Sequence, residues 1–231
     1  PTDISIIITS VRFTRRLQAV LLGIAHQRGI DLRRVEVIVA YVPGLDATDD
    51  LISAMAAAYP ELRIMRSPFP ERYAKSKGFV LNESIKLASG RWIMLLDSDI
   101  LMPVDLLARI AATPDDVPFV GPDRRKMLTP ETTGRVLLGE KTPWTHWDEL
   151  VNGPGEERVK EANLPVGFLQ CVRAECFNEV RYPEYDHFEG ADWDFIVGIR
   201  DRFGEGRFLE NTSVLHLDHG GSQWYGTHRH L

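Results

Sequence analysis

Cysteine is scarce in this chain of 231 residues: only Cys171 and Cys176 are present, with four residues between them. One such pair indicates neither a disulfide framework nor a cysteine-based zinc site, so we expect two reduced, part-buried thiols. Long apolar runs are also missing, because none approaches the roughly 20 residues that span a bilayer. The first residues, PTDI, lack the charged start of a signal peptide.

An excess of positive charge is absent as well. The chain has 27 lysines and arginines against 33 aspartates and glutamates, which gives a formal net charge of −6. This balance argues against nucleic acid as a partner, since nucleic-acid binders attract phosphates with basic surfaces. A hydrophobic content of 44% with 26% charged residues is ordinary for a globular protein. We therefore expect a cytoplasmic protein with no nucleic-acid partner and no transmembrane segment.

Strand and helix patterns alternate over the first hundred residues. Apolar, β-branched runs predict strands, and apolar positions at helical spacing predict the helices between them. The predicted elements are strand 4–9, helix 14–27, strand 35–42, helix 46–58, strand 62–65, helix 76–88 and strand 92–96. This βαβ alternation predicts an α/β fold with a largely parallel, doubly wound sheet.

The second half of the chain is less regular. Four prolines and scattered glycines predict that residues 121–155 are mostly loop, after a short strand at 117–120. Further on we predict a strand at 166–172, a short helix at 173–180, a longer helix at 192–203 and extended structure at 208–217. Neither an internal repeat nor a clear linker interrupts the chain, so a single domain is the simplest account.

The most informative segment is RWIMLLDSD at 91–99. Its apolar run is typical of a strand that is covered on both faces, and it ends in Asp97 and Asp99, separated by Ser98. In open α/β sheets, ligands lie beyond the carboxyl ends of the strands. Two carboxylates at that position predict an oxygen-rich site for Mg²⁺ or Mn²⁺ and, through the metal, for a diphosphate.

The order of several motifs resembles the GT-A glycosyltransferases, especially family 2 and the related galactosyltransferase-like group. The resemblance covers nearly the whole chain, and it rests on order and spacing because each motif alone is weak. The motifs are ISIIIT at 4–9, AKSKGFVLN at 74–82, LLDSD at 95–99, GFLQCVR at 167–173, FEGADWD at 188–194 and VLHLDH at 214–219.

The resemblance implies a single GT-A domain, Rossmann-like, with helices flanking a mostly parallel central sheet. Residues 1–102 would form the nucleotide-donor half, and residues 103–231 the acceptor and catalytic half. The implied activity is an inverting transfer of a sugar from a nucleotide-diphosphate sugar to a hydroxyl group of a glycan or other acceptor. Mn²⁺ or Mg²⁺ would assist, because a cation at the phosphates neutralises the charge of the leaving group.

The resemblance also implies a metal site. Asp99 would be the direct ligand, while Asp97 would bind the ribose or a metal-bound water, with Ser98 beside it at the nucleotide. His216 lies where the family often places a further metal ligand, and a neutral imidazole suits Mn²⁺. His219, three positions on, is the alternative, and we expect His216 to be the ligand.

Asp192 matches the family position of the general base, which an inverting reaction needs on the face opposite the leaving group. It stands at the predicted start of helix 192–203, where the helix dipole favours the ionised carboxylate. A simple helix cap is the other interpretation. Trp193 and Asp194 are candidate acceptor contacts. The family commonly has Glu before the base to hold the acceptor, and Ala191 stands there instead, which leaves the acceptor's identity open.

Candidate donor contacts follow the first strands. Thr9, Ser10 and Arg12 lie at the end of the first strand, and Lys77 matches a basic diphosphate-side position of the galactosyltransferase-like group. Many family members end the second strand in an acidic pair that reads uracil, whereas this chain has an alanine followed by Tyr41. We expect Tyr41 to stack on the base. A UDP-sugar is our first choice of donor, and a GDP-sugar is the next.

Two other functions remain as alternatives. A nucleotidyltransferase of similar fold would want a glycine-rich phosphate loop after the first strand, but residues 9–13, TSVRF, contain no glycine. A non-catalytic nucleotide-sugar-binding module is kept open by the departures at Ala191 and Tyr41. The joint presence of Asp97, Asp99, Asp192 and His216 favours the enzyme.

Overall fold

The computed structural model describes residues 1–159, 164–165, 167–187, 189–222 and 226–227. Helices cover both faces of a central sheet in this part of the chain. The strands are β1 (Ile4–Ser10), β2 (Val35–Tyr41), β3 (Arg63–Pro68), β4 (Trp92–Asp97), β5 (Ile100–Leu101), β6 (Phe119–Leu128), β7 (Gly155–Val159), β8 (Leu169–Arg173), β9 (Arg207–His216), β10 (Gly221–Ser222) and β11 (Gly226–Thr227). The helices are α1 (Thr14–Ala25), α2 (Thr48–Ala58), α3 (Lys77–Ile85), α4 (Leu106–Ala111), α5 (Pro130–Leu137), α6 (Pro143–Asn152) and α7 (Ala191–Phe203), with 3-10 turns at Leu32–Arg34, Glu71–Tyr73 and Ala174–Asn178.

The front of the sheet is parallel, as the βαβ pattern predicts. Its strand order is β3-β2-β1-β4, and each strand but the last is followed by a helical crossover. β1 and β4 are in register from Ile4 opposite Trp92 to Thr9 opposite Asp97. The carboxyl ends of β1 and β4 therefore lie side by side, and this places the residues that follow them at one edge of the sheet.

The back of the sheet is mixed. β8 pairs antiparallel with β4, and the order continues through β6 and β9 to β5. β5 is only two residues long and pairs antiparallel with β9, with Ile100 opposite His216. β7 lies on β6. The α/β fold with helices around a mostly parallel sheet is confirmed, and the short β5–β9 ladder connects its two halves.

Two apolar clusters fill the space between sheet and helices, because successive side chains of a strand point to opposite faces. Ile6 and Ile8 of β1 face α1, while Ile7 packs on the other face in the cluster that contains Phe195 of α7. Trp92 is fully buried at the start of β4. Both cysteines are free, as expected, but they are fully buried and not part-buried, and burial raises the pKa of Cys176 to about 11.

The prediction of loop for residues 121–155 is wrong. β6 continues to Leu128 through a bulge after Pro122, and α5 and α6 follow. Pro130 and Pro143 lie in the first turns of these helices, where the missing N–H is not needed. Thr129 caps α5 through its hydroxyl, which accepts a hydrogen bond from Thr132 N at 3.2 Å.

Smaller differences concern the ends of elements. The helix predicted at 173–180 is the 3-10 turn Ala174–Asn178, and the strand predicted at 166–172 is β8, shifted toward the C-terminus. Residue 166 of that prediction lies outside the described residues. Among the residues that the structure describes, no helix is both long and apolar enough to cross a membrane.

Candidate active site

The Asp-Ser-Asp motif forms the turn between β4 and β5. Asp97 ends β4, Ser98 is fully buried in the turn, and Asp99 precedes β5. The backbone N–H of Leu217 donates to the carbonyl oxygen of Asp99 at 2.9 Å, which extends the β5–β9 pairing by one step. This pairing brings the end of β9 to the motif, although His216 is 117 positions further along the chain.

Asp99, His216 and His219 form one cluster. Oδ2 of Asp99 lies 3.3 Å from Nε2 of His216 and 3.6 Å from Nε2 of His219, and the Asp99 side chain is 7% exposed. Burial alone would raise the pKa of Asp99, but the two imidazoles and the Arg16 guanidinium outweigh it and lower that pKa. Burial lowers the pKa of His219, which favours the neutral imidazole.

The residues of this cluster fit a divalent cation. One ligand atom from each of the three side chains can be chosen so that all lie within 4.8 Å of one another. Oδ1 of Asp99 and Nδ1 of both histidines are buried and have no hydrogen-bond partner in the described part of the chain. A carboxylate with two imidazoles is a donor set that suits Mn²⁺. The structure brings both histidines to Asp99 and does not choose between them.

Asp97 is held by a lysine. Nζ of Lys77, the first residue of α3, lies 2.7 Å from Oδ1 of Asp97, and both side chains are mostly buried. Burial alone would lower the pKa of Lys77, but the Asp97 carboxylate outweighs it and raises that pKa, so the amine stays protonated. Asp192 also acts electrostatically on Lys77. Lys77 therefore lies between the Asp-Ser-Asp turn and the start of α7.

Asp192 lies in the first turn of α7, as the sequence predicts. The helix begins after Gly190, whose φ of +80° suits glycine. The buried side-chain amide of Gln170 on β8 donates from Nε2 to the carbonyl oxygens of Asp192, at 2.8 Å, and Pro165, at 3.0 Å. A Cβ at Gly167 would stand 3.2 Å from Oδ2 of Asp192, so the glycine leaves room for the carboxylate.

The residues around Asp192 divide between surface and core. Trp193 is 39% exposed, and exposed Asp194 accepts a hydrogen bond from the hydroxyl of Tyr185 at 2.7 Å. Ala191 is buried against the apolar cluster of α7 and offers no polar contact at the position where the family commonly has Glu.

The donor-side candidates lie at the ends of the parallel strands. The hydroxyls of Thr9 and Ser10 are buried and have no hydrogen-bond partner among the described residues, which is unusual for buried polar groups. Arg12 has a φ of +62° and pairs with Glu71 at 2.7 Å. Each of these residues stands at the edge of the sheet where the sequence places it.

The expectation for Tyr41 is wrong. Its ring is 3% exposed and belongs to the apolar core, so it presents no face on which a base could stack. Its hydroxyl donates to Oδ1 of Asp49 on α2. Burial and this hydrogen bond raise the pKa of Tyr41 to about 12. The ring packs into the core and is not available for stacking, because α2 covers the end of β2.

Sequence reasoning missed three residues that hold the site together: Arg16, Thr133 and Gln170. Arg16 is 2% exposed, and Nε and Nη2 of its guanidinium donate to the carbonyl oxygen of Asp218 at 3.1 and 2.5 Å. A signal for Arg16 was present, because it precedes Val20 by four positions on the apolar face of α1. Thr133 lies in the segment 121–155, for which the sequence pattern predicts loop.

His216 ends β9 and His219 follows it, and both lie beside the Asp-x-Asp turn of the sheet. This is the arrangement that the resemblance to the GT-A glycosyltransferases implies. The model of the family described as "Glycosyltransferase like family 2" matches residues 1–191, and the chain belongs to this family. The resemblance stated from the motifs is thereby confirmed. No curated protein gives a significant match to the chain.

Solved structures of glycosyltransferases share the fold. S. aureus TarS 1–349 in complex with UDP-GlcNAc is 16% identical with a TM-score of 0.70, over 99% of this chain and 62% of that one. The mannosyltransferase PcManGT from Pyrobaculum calidifontis, in complex with GDP-Man and Mn²⁺, is 17% identical with a TM-score of 0.67, over 93% and 56%. This chain thus spans less than two thirds of either protein.

A third neighbour is more distant in shape. Glucosyl-3-phosphoglycerate synthase from Mycobacterium tuberculosis, in complex with Mn²⁺, UDP and glucosyl-3-phosphoglycerate, is 18% identical with a TM-score of 0.54, over 94% of this chain and 70% of that one. At these identities the likeness shows the fold.

Proposed function

We propose that the protein is a metal-dependent, inverting glycosyltransferase that moves a sugar from a nucleotide-diphosphate sugar to a hydroxyl group, in the synthesis of a glycan or polysaccharide. The observation that carries this proposal is the convergence of Asp99, His216 and His219 beside the turn that ends β4. Known structures of this fold are complexes with Mn²⁺ and with UDP or GDP-Man, which supports the choice of substrate class.

Asp99 and His216 would hold the cation, with His219 as the further candidate ligand, and Mn²⁺ suits this donor set better than Mg²⁺ does. When bound, the cation offsets the negative charge that develops on the leaving diphosphate. Lys77 adds a second positive charge on the same side, because its ammonium is buried against Asp97. Asp97 is thereby oriented, ready to accept hydrogen bonds from the ribose or from a metal-bound water.

Asp192 would act as the general base. Its carboxylate takes the proton of the acceptor hydroxyl while that oxygen attacks the anomeric carbon, on the face opposite the departing nucleotide diphosphate. The first turn of α7 favours the ionised form. Gln170, which lies on β8, holds the backbone of Asp192 through a hydrogen bond to its carbonyl oxygen. Exposed Trp193 and Asp194 extend from the same turn, where an acceptor sugar would lie.

The donor would occupy the edge formed by β1 and β4, in the half of the chain that ends at residue 102. The buried hydroxyls of Thr9 and Ser10 lack a partner among the described residues, Arg12 follows them in the chain, and Ser98 follows Asp97, which pairs with Thr9. Residues from 103 onward supply the acceptor side, apart from the histidines that return to the metal. A UDP-sugar remains the first choice of donor and a GDP-sugar the second.

A donor panel tests the proposal. Purified protein is incubated with UDP-, GDP- and other nucleotide sugars and Mn²⁺, and release of the nucleotide diphosphate is followed with and without EDTA. We expect release with one base class, none in EDTA, and none from Asp99→Ala. Asp116→Ala is the matched control, since Asp116 is exposed on a loop away from the site.

The outcomes separate the alternatives. Turnover of Asp99→Ala in EDTA at the rate of the parent protein would overturn the metal site. Binding of a nucleotide sugar without turnover under any condition would identify a binding module, and release of pyrophosphate from a nucleoside triphosphate would identify a nucleotidyltransferase. NMR of the product's anomeric configuration decides between inversion and retention.

A further inference from the structure

The turn that carries His219 is held from two sides. Asp218 precedes His219, and its backbone N–H donates to Oγ1 of Thr133 on α5 at 2.9 Å. The carbonyl oxygen of the same residue accepts two hydrogen bonds from the Arg16 guanidinium of α1. Asp218, which lies between the two histidines in the sequence, is thus hydrogen-bonded through both its backbone N–H and its carbonyl oxygen.

The burial of Arg16 at this position is energetically unfavourable. A guanidinium that is 2% exposed gives up its hydration, and burial lowers its pKa, a shift that the charges of Asp99 and Asp218 oppose. Its charged plane lies over the ring of Phe13, at 4.9 Å from the centroid, and Phe13 contacts the ring of His219 at 5.8 Å between centroids. Arg16 therefore supports His219 both through the backbone and through an intervening ring.

Thr133 holds the backbone of Asp218 from the other side. It is fully buried, in the first half of α5, whose start is fixed by the Thr129 cap. A threonine hydroxyl can accept one hydrogen bond while it donates another, so it can anchor the Asp218 N–H from within a helix.

We propose that Arg16 and Thr133 are positioning residues that set the His219 ring against Asp99 by clamping the backbone of Asp218. Neither side chain is a ligand in this arrangement. The inference rests on the proposed metal function for its consequence, which is tighter cation binding, but the clamp itself exists without the cation. Partners that orient metal ligands typically contribute 10- to 100-fold in metal affinity.

A competing explanation is that Arg16 acts only through its charge. The two accounts predict opposite results for a pair of substitutions. Arg16→Lys keeps the charge but loses the planar fork, and Arg16→Gln loses the charge. If Arg16 positions the turn, both variants weaken Mn²⁺ binding, roughly 10-fold or more. If only charge matters, Arg16→Lys is unchanged and Arg16→Gln binds Mn²⁺ more tightly.

Thr133 offers an independent test with rescue. Thr133→Val keeps the shape and removes the hydroxyl, so it should weaken Mn²⁺ binding, whereas Thr133→Ser keeps the hydroxyl and should restore most of it. Arg15→Lys is the matched control, because Arg15 is the exposed neighbour of Arg16 on the same helix. Free Mn²⁺ is measured by electron paramagnetic resonance, and thermal unfolding shows whether each variant is folded.

A second measurement keeps the clamp separate from the proposed activity. ¹⁵N-resolved imidazole spectra of the metal-free protein should show the His219 signals displaced or broadened in Arg16→Lys and Thr133→Val, and unchanged in Arg15→Lys and Thr133→Ser. Parent-like His219 signals in folded Arg16→Lys and Thr133→Val would overturn the clamp. If the parent protein takes up no Mn²⁺, the metal proposal fails, and these spectra alone decide on the clamp.

Discussion

Replacement of Gln170 by leucine tests how the first turn of α7 is held. The Gln170 amide is 1% exposed and donates two hydrogen bonds, at 2.8 and 3.0 Å, to the carbonyl oxygens of Asp192 and Pro165. Each such bond contributes about 0.5–1.5 kcal/mol, and a buried carbonyl that loses its donor brings the cost toward the upper limit. We therefore expect a loss of about 2–3 kcal/mol in the free energy of unfolding.

The same change should affect catalysis more than donor binding. For a domain of this size, each kcal/mol lowers Tm by about 2–4 °C, so Gln170→Leu should lower Tm by roughly 5–10 °C. Because the Asp192 backbone is freed, kcat should fall roughly 10- to 100-fold, the loss that a misplacement of about 1 Å causes. The KM for the donor should change little, since the two side-chain hydrogen bonds of Gln170 go to Asp192 and Pro165.

Gln27→Leu is the matched control. Gln27 is also buried, and its side chain makes two backbone hydrogen bonds, to Pro103 at 2.9 Å and from Leu107 at 3.1 Å, at the opposite end of α1 from Arg16. It should lower Tm by a similar amount and leave kcat unchanged. If the two variants lose kcat equally, the loss comes from stability alone, and the positioning role of Gln170 is refuted.

Three further predictions concern the site and its supports. Asp192→Asn should lower turnover by about 10²–10⁴-fold with unchanged donor affinity by calorimetry, because it removes only the proton acceptor. His216→Ala should raise the apparent Kd for Mn²⁺ more than His219→Ala does, since His216 lies closer to the Asp99 carboxylate and is less exposed. Gly78→Ala should destabilise the fold by about 1–3 kcal/mol or more in denaturant titrations, because its Cβ would lie 1.8 Å from the Pro183 carbonyl oxygen.

Each of these predictions has a result that contradicts it. Equal loss of donor affinity and turnover in Asp192→Asn would make Asp192 a structural cap. A greater loss of Mn²⁺ affinity in His219→Ala would exchange the roles of the two histidines. For the glycine, Gly134→Ala is the control, since a Cβ there meets nothing within 4 Å and should be neutral or stabilising. Equal stability of the two alanine variants would refute the steric argument.

The front half of the fold could be predicted because its signals are local. A strand followed by a helix repeats along β1, β2 and β3, and β4 adds a further apolar run. The carboxyl edge of a parallel sheet is where such folds place their ligands. The positions of Thr9 and of the Asp-Ser-Asp turn follow from that rule. Asp192 at the start of α7 also follows from a local pattern.

The supports of the site could not be predicted, because they depend on partners far away in the sequence. Arg16 and Asp218 are 202 positions apart, and nothing near either residue indicates the contact. The surroundings of Tyr41 could not be predicted, because an aromatic ring at a strand end suits both stacking on a base and packing in the core. Only the position of α2 decides between the two. Helices α5 and α6 could not be predicted, because proline is both a helix breaker and a favoured first residue of a helix.

The pairing of β5 with β9 determines when, during synthesis, the cluster of Asp99, His216 and His219 can form. A nascent chain that has emerged as far as residue 200 carries both aspartates of the turn, and the front of the sheet can already form around them. It has neither of the two histidines, which follow at positions 216 and 219. The front of the sheet can therefore form before the proposed metal site is complete, unlike small zinc domains that fold around their metal. Under the proposed function, a cation would bind only after residue 219 has been synthesised, and a fragment that ends before it would lack part of the proposed site.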